Sequence, residues 1–453
     1  MTLANGQPAL AVADRLVPGL LLILFCAGYY LYADLPIAPP LRLPAAGAIA
    51  GGWGLLLWHL GRLRYGDLAF AGAVIAVTLA SLLLNPSFFE STALRQFSGE
   101  YATSFLVFLV SLPMAIGVIV AMRQCRPQAI SAVALASASL TLAGVAAERF
   151  AGFAAVSEPV RTLLFPSEIL YAEDLRDQLI YGAVRAKLFT SEPSHVAKAF
   201  VLAILVWYAT ARGIWRIPLV YGLVAAGVIL IKSPGILAVL PAVWAADLCR
   251  QRRSGWAVAL VAAGGGAVIA GGLIGQEMFA ERLAHIASGR DGSFIIRLLL
   301  PWEILCRVWA EHPLFGLGFG AKEAGIPYAI AAAQAMQLDV QALLDTNAPL
   351  GNNGLLIGMI QLGPLGTILF VTGLVWFWRS ACGPYWLFAA VALAAYMTLI
   401  GGINTPRFWG GFALITAAAA AAWRQEWRSV PPSVPCLRVP RYLPFRSAAR
   451  PTG

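Results

Sequence analysis

Residues 101–147 have the sequence YATSFLVFLVSLPMAIGVIVAMRQCRPQAISAVALASASLTLAGVAA. They contain two runs without charged side chains, 101–122 and 127–147, separated by a short break that holds Arg123 and Arg126. A helix needs roughly 20 consecutive apolar residues to cross the hydrocarbon core of a bilayer, and each run has about that length. The stretch therefore predicts a membrane-spanning helical hairpin with arginines in its turn.

The composition of the whole chain agrees with this hairpin. Of the 453 residues, 59% are hydrophobic and 12% are charged, and the mean hydropathy is +0.75. A soluble domain carries roughly 25% charged residues, so this chain lacks the polar surface that would cover a globule in water. Intrinsic disorder, collagen, coiled coil and a disulfide-rich scaffold are excluded. The class that remains is an all-α polytopic integral membrane protein.

The cysteine and charge patterns limit the ligands. The six cysteines show no Cys-x-x-Cys spacing, so we expect neither a disulfide framework nor a metal site, and we expect no cofactor. The net charge of +10 is not gathered in a basic block on a soluble domain, so we expect no nucleic-acid partner.

Apolar runs between charged or proline-rich breaks predict about twelve membrane-spanning helices. The predicted spans lie near residues 16–32, 43–60, 67–84, 101–122, 128–147, 195–211, 217–232, 234–248, 256–275, 353–377, 384–402 and 408–423. Arginines concentrate in the C-terminal tail and in every second connection, so the positive-inside rule places both termini in the cytoplasm.

Two outer segments, 148–194 and 276–352, break the hairpin pattern and hold most of the remaining charge. We expect these two large periplasmic loops to carry the function. The predicted parts, in order, are an N-terminal bundle of about five spans (1–147), the first loop (148–194), central spans (195–275), the second loop with helices (276–352), C-terminal spans (353–423) and a basic cytoplasmic tail (424–453).

The first group of candidate residues ends the first loop, where residues 185–195 are RAKLFTSEPSH. A serine at 191 followed two residues later by proline is typical of a capped helix start, and this is one interpretation of Ser191. The other is an anion site, because Arg185 and a helix N-terminus both favour a phosphate group. In that case Glu192 or His195 would be available as a general base.

The second group lies in residues 290–320, RDGSFIIRLLLPWEILCRVWAEHPLFGLGFG. Apolar side chains at helical spacing predict a helix over 294–310, which His312 and the following proline end before a glycine-rich turn. The turn follows a helix and lacks a βαβ context, so we interpret it as structural. Arg297 is suited to bind a phosphate through two N–H groups. The alternative is that the arginines of this segment snorkel or pair with acids such as Glu303.

Three motifs follow one another along residues 185–370. The first is Arg185 with Ser-Glu-Pro-Ser (191–194), the second runs through His-Pro-Leu-x-Gly-x-Gly-x-Gly (297–320), and the third is Asn-Asn-Gly-x-Leu with Gln-Leu-Gly-Pro-Leu-Gly (352–366). In this order, and with a large late outer loop, they resemble the O-antigen polymerase and O-antigen ligase superfamily of bacterial membrane glycosyltransferases.

The resemblance implies a fold similar to the lipid-dependent GT-C glycosyltransferases and metal-independent glycosyl transfer at the periplasmic face of the bacterial inner membrane. The donor would be an oligosaccharide on undecaprenyl pyrophosphate, and a chain-length regulator and a flippase would be further partners beside the lipid bilayer. The resemblance implies Arg185, Arg290 and Arg297 as pyrophosphate contacts and Glu192 and His312 as acid–base or positioning groups. The predicted site is completed by His195 as a base candidate and by Ser191, Asn352 and Asn353 as positioning groups.

The favoured function is an O-antigen or exopolysaccharide polymerase, which transfers the oligosaccharide onto a lipid-linked repeat unit. The ligase branch typically has His-Asn where the second loop re-enters the membrane, whereas this chain has Asn352 and Asn353. An O-antigen ligase and a protein O-oligosaccharyltransferase remain alternatives that differ in acceptor. A polysaccharide flippase or other transporter is the non-enzymatic alternative, which nearly uncharged spans disfavour, Lys198 being the main exception.

Overall fold

The computed structural model of the chain describes residues 7–38, 41–84, 94–166, 170–171, 177–178, 184–250, 294–344 and 350–429. This part of the chain is mostly helical. The helices are α1 (Gln7–Leu31), α2 (Ala46–Trp58), α3 (Tyr65–Leu83), α4 (Leu94–Met122), α5 (Pro127–Phe150), α6 (Ala154–Leu164), α7 (Pro193–Thr210), α8 (Arg216–Ile231), α9 (Val239–Arg250), α10 (Leu300–Glu311), α11 (Ile326–Ala335), α12 (Val340–Leu344), α13 (Gly354–Cys382), α14 (Trp386–Met397) and α15 (Pro406–Ser429).

Shorter elements connect these helices. Tight 3-10 turns lie at Leu60–Arg62, Pro234–Ala238, Glu323–Gly325 and Gly383–Tyr385, and a π-helical turn lies at Ile295–Leu299. The prediction of an all-α fold class is confirmed for the described residues, which include one small antiparallel sheet of β1 (Leu35–Ala38) and β2 (Leu41–Leu43) among the helices. Leu35 pairs with Leu43 there, which places the sheet directly after the end of α1.

Among the described residues, five helical stretches are long and apolar enough to cross a membrane. They are Tyr65–Leu83, Tyr101–Met122, Pro127–Phe150, Pro193–Thr210 and Gly354–Met397. Shorter apolar helices occur at Leu16–Leu31, Ala46–Trp58 and Arg216–Ile231. Helical structure lies at each predicted span except 256–275, which falls outside the described residues.

Two helices at the centre of the bundle bring their N-termini together. α7 packs against α5, α8, α9 and α15, and most of its side chains are buried. α15 packs against α4, α7, α13 and α14. α7 begins at Pro193 and α15 at Pro406, and His195 in the first turn of α7 contacts Arg407 in the first turn of α15. The positive ends of two helix dipoles therefore converge at one place.

The glycine-rich turn and the break in α13 form one structure. Pro364 has no N–H, so the carbonyl of Ile360 has no partner four residues ahead in the helix. The N–H of Leu317 donates to that carbonyl at 3.1 Å. In the same way the N–H of Gly318 donates to Gln361 O at 3.0 Å. The turn supplies the hydrogen bond that the proline removes and a second one to the next carbonyl, which agrees with its structural interpretation.

Gly316 lies where the glycine-rich turn contacts α13, and this contact leaves no space for a larger residue at this position. Its φ is +58°, and a Cβ atom there would collide with the carbonyl oxygen of Ile360. Gly316→Ala is expected to lower the free energy of unfolding by more than about 1 kcal/mol, measured as a loss of thermal stability in detergent. Gly373→Ala in α13 is the control, since a Cβ atom there meets nothing within 4 Å. Equal stability of the two variants would contradict the tight fit of the turn.

The predicted topology can be tested at exposed positions of the described residues. Thr162 in α6 and Gln334 in α11 are exposed and belong to the two predicted outer loops. Cysteines placed at these positions should react with a membrane-impermeant maleimide added to cells with a permeable outer membrane. A cysteine at Ile214, which is exposed in a predicted inner loop, should react only after the inner membrane is opened. Protection at both outer positions would refute the topology.

Candidate functional site

The start of α7 has no side-chain cap. The helix begins at Pro193 as the sequence predicts, but its N-cap residue is Glu192 and no side chain makes a capping hydrogen bond. The capped-start interpretation of Ser191 is therefore wrong. The hydroxyl of Ser191 lies 3.2 Å from Nδ1 of His195 instead, and this contact orients the imidazole ring.

The Glu192 carboxylate collects contacts on one of its oxygens. Lys198 donates from Nζ to Oε1 at 3.2 Å, the hydroxyl of Ser194 donates to the same oxygen, and His195 Nε2 lies 3.0 Å from it. The side chain of Lys198 is 8% exposed, whereas that of Glu192 is 38% exposed. A buried ammonium thus holds a carboxylate that remains accessible from outside the bundle.

The electrostatics of Glu192 favour the ionised form. Burial acts to raise the pKa of the carboxyl group, but the charge of Lys198, the contact with His195 and the hydrogen bond from Ser194 outweigh it. The pKa of Glu192 therefore lies well below its ordinary value of 4.5. At neutral pH this side chain is a carboxylate that accepts hydrogen bonds.

Arg407 joins this group from the start of α15. Its Nη1 lies 2.9 Å from Nε2 of His195, and its Cζ lies 3.7 Å from the ring centroid of Tyr32, the residue that follows α1. A guanidinium only donates, so Nε2 accepts this bond and the imidazole proton resides on Nδ1, facing Ser191. The alternative is a proton on Nε2 that is donated to Glu192. His195 therefore has two competing partners for one nitrogen.

Arg297 adds a third cation from the second predicted loop. It lies in the π-helical turn at Ile295–Leu299 and is half-buried, and it is close enough to Lys198 for their charges to interact. Such turns are rare and occur frequently at functional sites. Lys198 pairs with Glu192, Arg407 contacts His195, and Arg297 interacts with Lys198. We name these five residues the cationic cluster, whose net charge is +2 with a neutral imidazole.

A separate network fixes the chain just before the cluster. The buried guanidinium of Arg161 donates to Thr190 O at 2.6 Å and to Ser191 O at 2.9 Å, and it also pairs with Glu158. The carboxylate of Glu148 accepts the backbone N–H groups of residues 187 and 188. These bonds hold the backbone that leads into Glu192.

Arg185, a predicted phosphate contact, takes part in an ion pair near this network. Its Nη2 lies 2.8 Å from the buried carboxylate of Asp177 and 3.2 Å from the hydroxyl of Tyr171. Burial and the hydrogen bond to Asp177 raise the pKa of Tyr171 to about 12, so the hydroxyl stays protonated. This arrangement favours a structural role for Arg185 and leaves its predicted phosphate contact untested.

His312 lies in a different hydrogen-bonded group. Its Nε2 is 3.0 Å from the hydroxyl of Tyr328, which donates to Glu311 at 2.6 Å. Burial, followed by the hydrogen bond to Glu311, raises the pKa of Tyr328. No contact among the described residues joins this group to Glu192, so the structure does not support His312 as its acid–base partner.

The two asparagines of the third motif, Asn352 and Asn353, make different contacts. The side chain of Asn353 caps α13, because its Oδ1 accepts the N–H groups of the second and third helical residues at 3.1 and 3.2 Å. The N–H of Asn352 donates to Ile296 O at 3.1 Å, which places Asn352 beside the turn that carries Arg297. Arg290 lies outside the described residues.

The structure thus brings together Glu192, His195 and Arg297 from the predicted set. It adds Lys198 and Arg407, which the sequence interpretation did not assign to the site. One signal for Arg407 is present in the sequence, since Pro406 and Arg407 open a span just as Pro193 opens α7. Within the described residues, no group of three or more His, Cys, Asp or Glu side chains is placed to hold a metal ion. No family model, curated protein or solved structure matches the chain.

Proposed function

We propose that the protein is a membrane glycosyltransferase of the polysaccharide polymerase type. It transfers an oligosaccharide from undecaprenyl pyrophosphate onto a lipid-linked repeat unit at the periplasmic face of the bacterial inner membrane. The observation that carries this proposal is the cationic cluster at the converging starts of two helices, α7 and α15. An excess of positive charge at two helix N-termini fits a pyrophosphate better than an uncharged ligand.

Glycosyl transfer from a lipid pyrophosphate needs cations that stabilise the leaving group and a base for the acceptor hydroxyl. The bond between the anomeric carbon of the donor sugar and the pyrophosphate oxygen breaks, and the electron pair leaves with the pyrophosphate. The acceptor hydroxyl forms the new bond to the anomeric carbon and loses its proton to a base. Lys198, Arg297 and Arg407 stabilise the charge on the departing pyrophosphate. In this scheme Glu192 takes the proton from the acceptor hydroxyl.

The position of Glu192 suits a base that donor binding activates. In the free protein, Lys198 holds its pKa low, and a carboxylate with a low pKa is a weak base. A bound pyrophosphate brings negative charge to Lys198 and so offsets the field that lowers the pKa of Glu192. Its basicity then rises when the donor is in place.

The wider architecture belongs to the same proposal. Twelve membrane-spanning helices, a GT-C-like arrangement, two periplasmic loops and cytoplasmic termini are compatible with the apolar helices of the described residues. In this topology the start of α7 ends the first outer loop, and Arg297 lies in the second. The cationic cluster would then face the periplasm, where lipid-linked oligosaccharides are available.

The function can be tested with the glycolipids of a deletion strain. Single repeat units on lipid A would support a polymerase. Full-length polymer that accumulates on undecaprenyl pyrophosphate would indicate a ligase instead. An unchanged glycolipid profile, with the gene confirmed to be expressed in the parent strain, would reject both activities.

Arg297→Lys tests the phosphate contact within this function. Lysine keeps the charge but not the planar pair of donors, so we expect kcat/KM for the lipid-linked donor to fall by about 10- to 100-fold, the equivalent of one charge-assisted hydrogen bond. Arg307→Lys is the matched control, because Arg307 in α10 is half-buried like Arg297 and pairs with Glu303 at 2.8 Å. Equal activity of the two variants would show that Arg297 does not clamp a phosphate.

A further inference from the structure

An apolar strip lies along the exposed side of α10. Its five residues follow one another at every fourth position, from the π-helical turn to just beyond the helix, and all of them are exposed: Leu298, Trp302, Cys306, Ala310 and Leu314. Residues four apart lie on the same side of a helix. The half-buried ion pair of Glu303 and Arg307 borders the strip. The exposed surface of α10 is therefore amphipathic.

The apolar strip joins the exposed apolar side of α13. The N–H of Leu365 donates to Leu314 O at 3.0 Å, and both side chains are exposed. Further along α13, Ile368 and Leu369 are also exposed, and they belong to a candidate membrane span. Exposed apolar side chains of a membrane span face lipid. The lipid-facing surface of α13 therefore passes into the strip at Leu314.

The end of α10 lies at the outer boundary of the hydrocarbon core in the predicted topology. The 18 residues of α13 from Leu365 to Cys382 correspond to roughly 27 Å, which is close to the thickness of about 30 Å of that core. Tyr101, which begins a second candidate span, donates its hydroxyl to Leu317 O at 3.1 Å. Two spans thus place the turn after α10 at the level where the hydrocarbon ends.

The start of α10 is held near the same level. Arg297 comes directly before Leu298, and its charge interacts with that of Lys198. Lys198 lies in the second turn of α7, which is a candidate span that begins at Pro193. Both ends of α10 are therefore close to the starts of candidate spans, so the helix lies along the boundary and does not stand upright on it.

We propose that α10 lies in the outer leaflet, between headgroups and acyl chains, with the apolar strip in contact with lipid. Tryptophan is enriched at this depth because its ring is amphipathic, and the Glu303–Arg307 pair borders the strip as the polar side of an interfacial helix does. The strip carries no carboxylate, amide or hydroxyl group for binding a sugar, so lipid fits it better than a saccharide. Membrane contact then fixes the depth of Arg297.

Cys306 lies at the centre of the apolar strip and allows a direct test. A nitroxide label is attached to Cys306 after the other five cysteines are replaced by alanine, and the protein is placed in phosphatidylcholine nanodiscs without saccharide. The label should collide more often with oxygen, which concentrates in hydrocarbon, than with a water-soluble nickel chelate. Arg307→Cys combined with Cys306→Ala is the matched control, because the next residue lies roughly 100° further round the helix. Its ratio of oxygen to nickel collisions should be several-fold lower.

Two results would overturn the membrane contact. Equal collision ratios at the two positions, or a Cys306 label that meets mainly the nickel chelate, would show that the strip faces water. Strong dipolar broadening between labels would show that a second copy of the chain covers the strip.

A variant with all native cysteines tests the strip without the other substitutions. Trp302 is 54% exposed, so Trp302→Glu should leave the core intact but weaken the contact with lipid. Cys306 should then react several-fold faster with a charged maleimide in nanodiscs, measured by mass spectrometry of the peptide that contains it. Gln334→Glu adds the same charge at an exposed position of α11 and should leave the rate unchanged. An unchanged rate in Trp302→Glu would refute the strip as a membrane contact.

The inference goes beyond the proposed function, because it needs a membrane and no glycosyl donor. Neither measurement involves turnover. If the glycolipid profile rejects glycosyl transfer while the Cys306 label reports lipid, α10 remains an interfacial helix. If the profile supports polymerisation while the label reports water, only the membrane contact of α10 fails.

Discussion

Replacement of Glu192 by glutamine is expected to lower turnover with lipid-linked repeat units by about 10²–10⁴-fold. Glutamine keeps the size of the side chain and an oxygen that can accept from Lys198 and Ser194, but it cannot take a proton from the acceptor hydroxyl. The loss should appear in kcat, since the proton transfer belongs to the chemical step. An in-vitro assay of the purified protein, run beside a measurement of its expression in membranes, is the test.

Two measurements separate chemistry from folding in this variant. Glu192→Gln leaves the buried ammonium of Lys198 without its anion, so some loss of thermal stability is expected, equivalent to about 1–3 kcal/mol. Ser194→Ala removes one hydrogen bond to Glu192 while the carboxylate remains, and its turnover should stay close to that of the parent. Near-normal turnover of Glu192→Gln would eliminate Glu192 as the base and direct attention to His195 and then His312.

The pH dependence of the parent protein follows from the sign of the Glu192 shift. The pKa of Glu192 in the free protein lies well below 4.5, so kcat/KM should not decline through this group until the pH falls below about 4.5. In the donor complex the pKa rises, so the acid limb of kcat should lie at higher pH than that of kcat/KM. The lowered pKa also stabilises the folded chain above pH 4.5, and this stability is lost as the pH falls through the folded pKa.

Local sequence patterns predict where the helices of this structure begin and end. They do not predict which of these elements contact one another. Uncharged runs marked the helices, Pro193 marked the start of α7, and His312 marked the end of α10, because hydropathy and proline geometry act over a few residues. The glycine turn and the proline break were each visible as motifs. Their mutual hydrogen bonds between Leu317 and Ile360 were not, since nothing in either motif specifies its partner.

In the candidate site, too, the sequence predicts local contacts and not long-range ones. Glu192 and His195 are three residues apart on one helix turn, so their contact was within reach of the sequence. Arg407 meets His195 across 212 residues of chain, and only the packing of α15 on α7 brings it there. Arg185 looked equally suited to a phosphate until its partner Asp177 was visible. A sequence identifies charged residues as candidate phosphate contacts. Only the folded structure shows which of them are already paired with an opposite charge.

Arg407→Gln is expected to lower kcat/KM by about 10²–10³-fold, the cost of removing one donor from a pre-organised anion site. The reason is the position of Arg407, which lies at a helix N-terminus, is stacked on Tyr32 and contacts His195 through only one of its five N–H donors. The variant also loses a cation–π contact worth roughly 0.5–2 kcal/mol. A loss of thermal stability in Arg407→Gln would therefore not show whether Arg407 binds phosphate.

A matched control separates these effects. Arg379 lies over the ring of Trp386 with Cζ 5.1 Å from the centroid and is exposed, far along α13 from its start, so Arg379→Gln loses a comparable aromatic contact outside the cluster. Inhibition by inorganic pyrophosphate should weaken in Arg407→Gln and remain unchanged in Arg379→Gln. If both variants keep the inhibition constant of the parent while Arg407→Gln loses activity, Arg407 positions His195 and does not bind the leaving group.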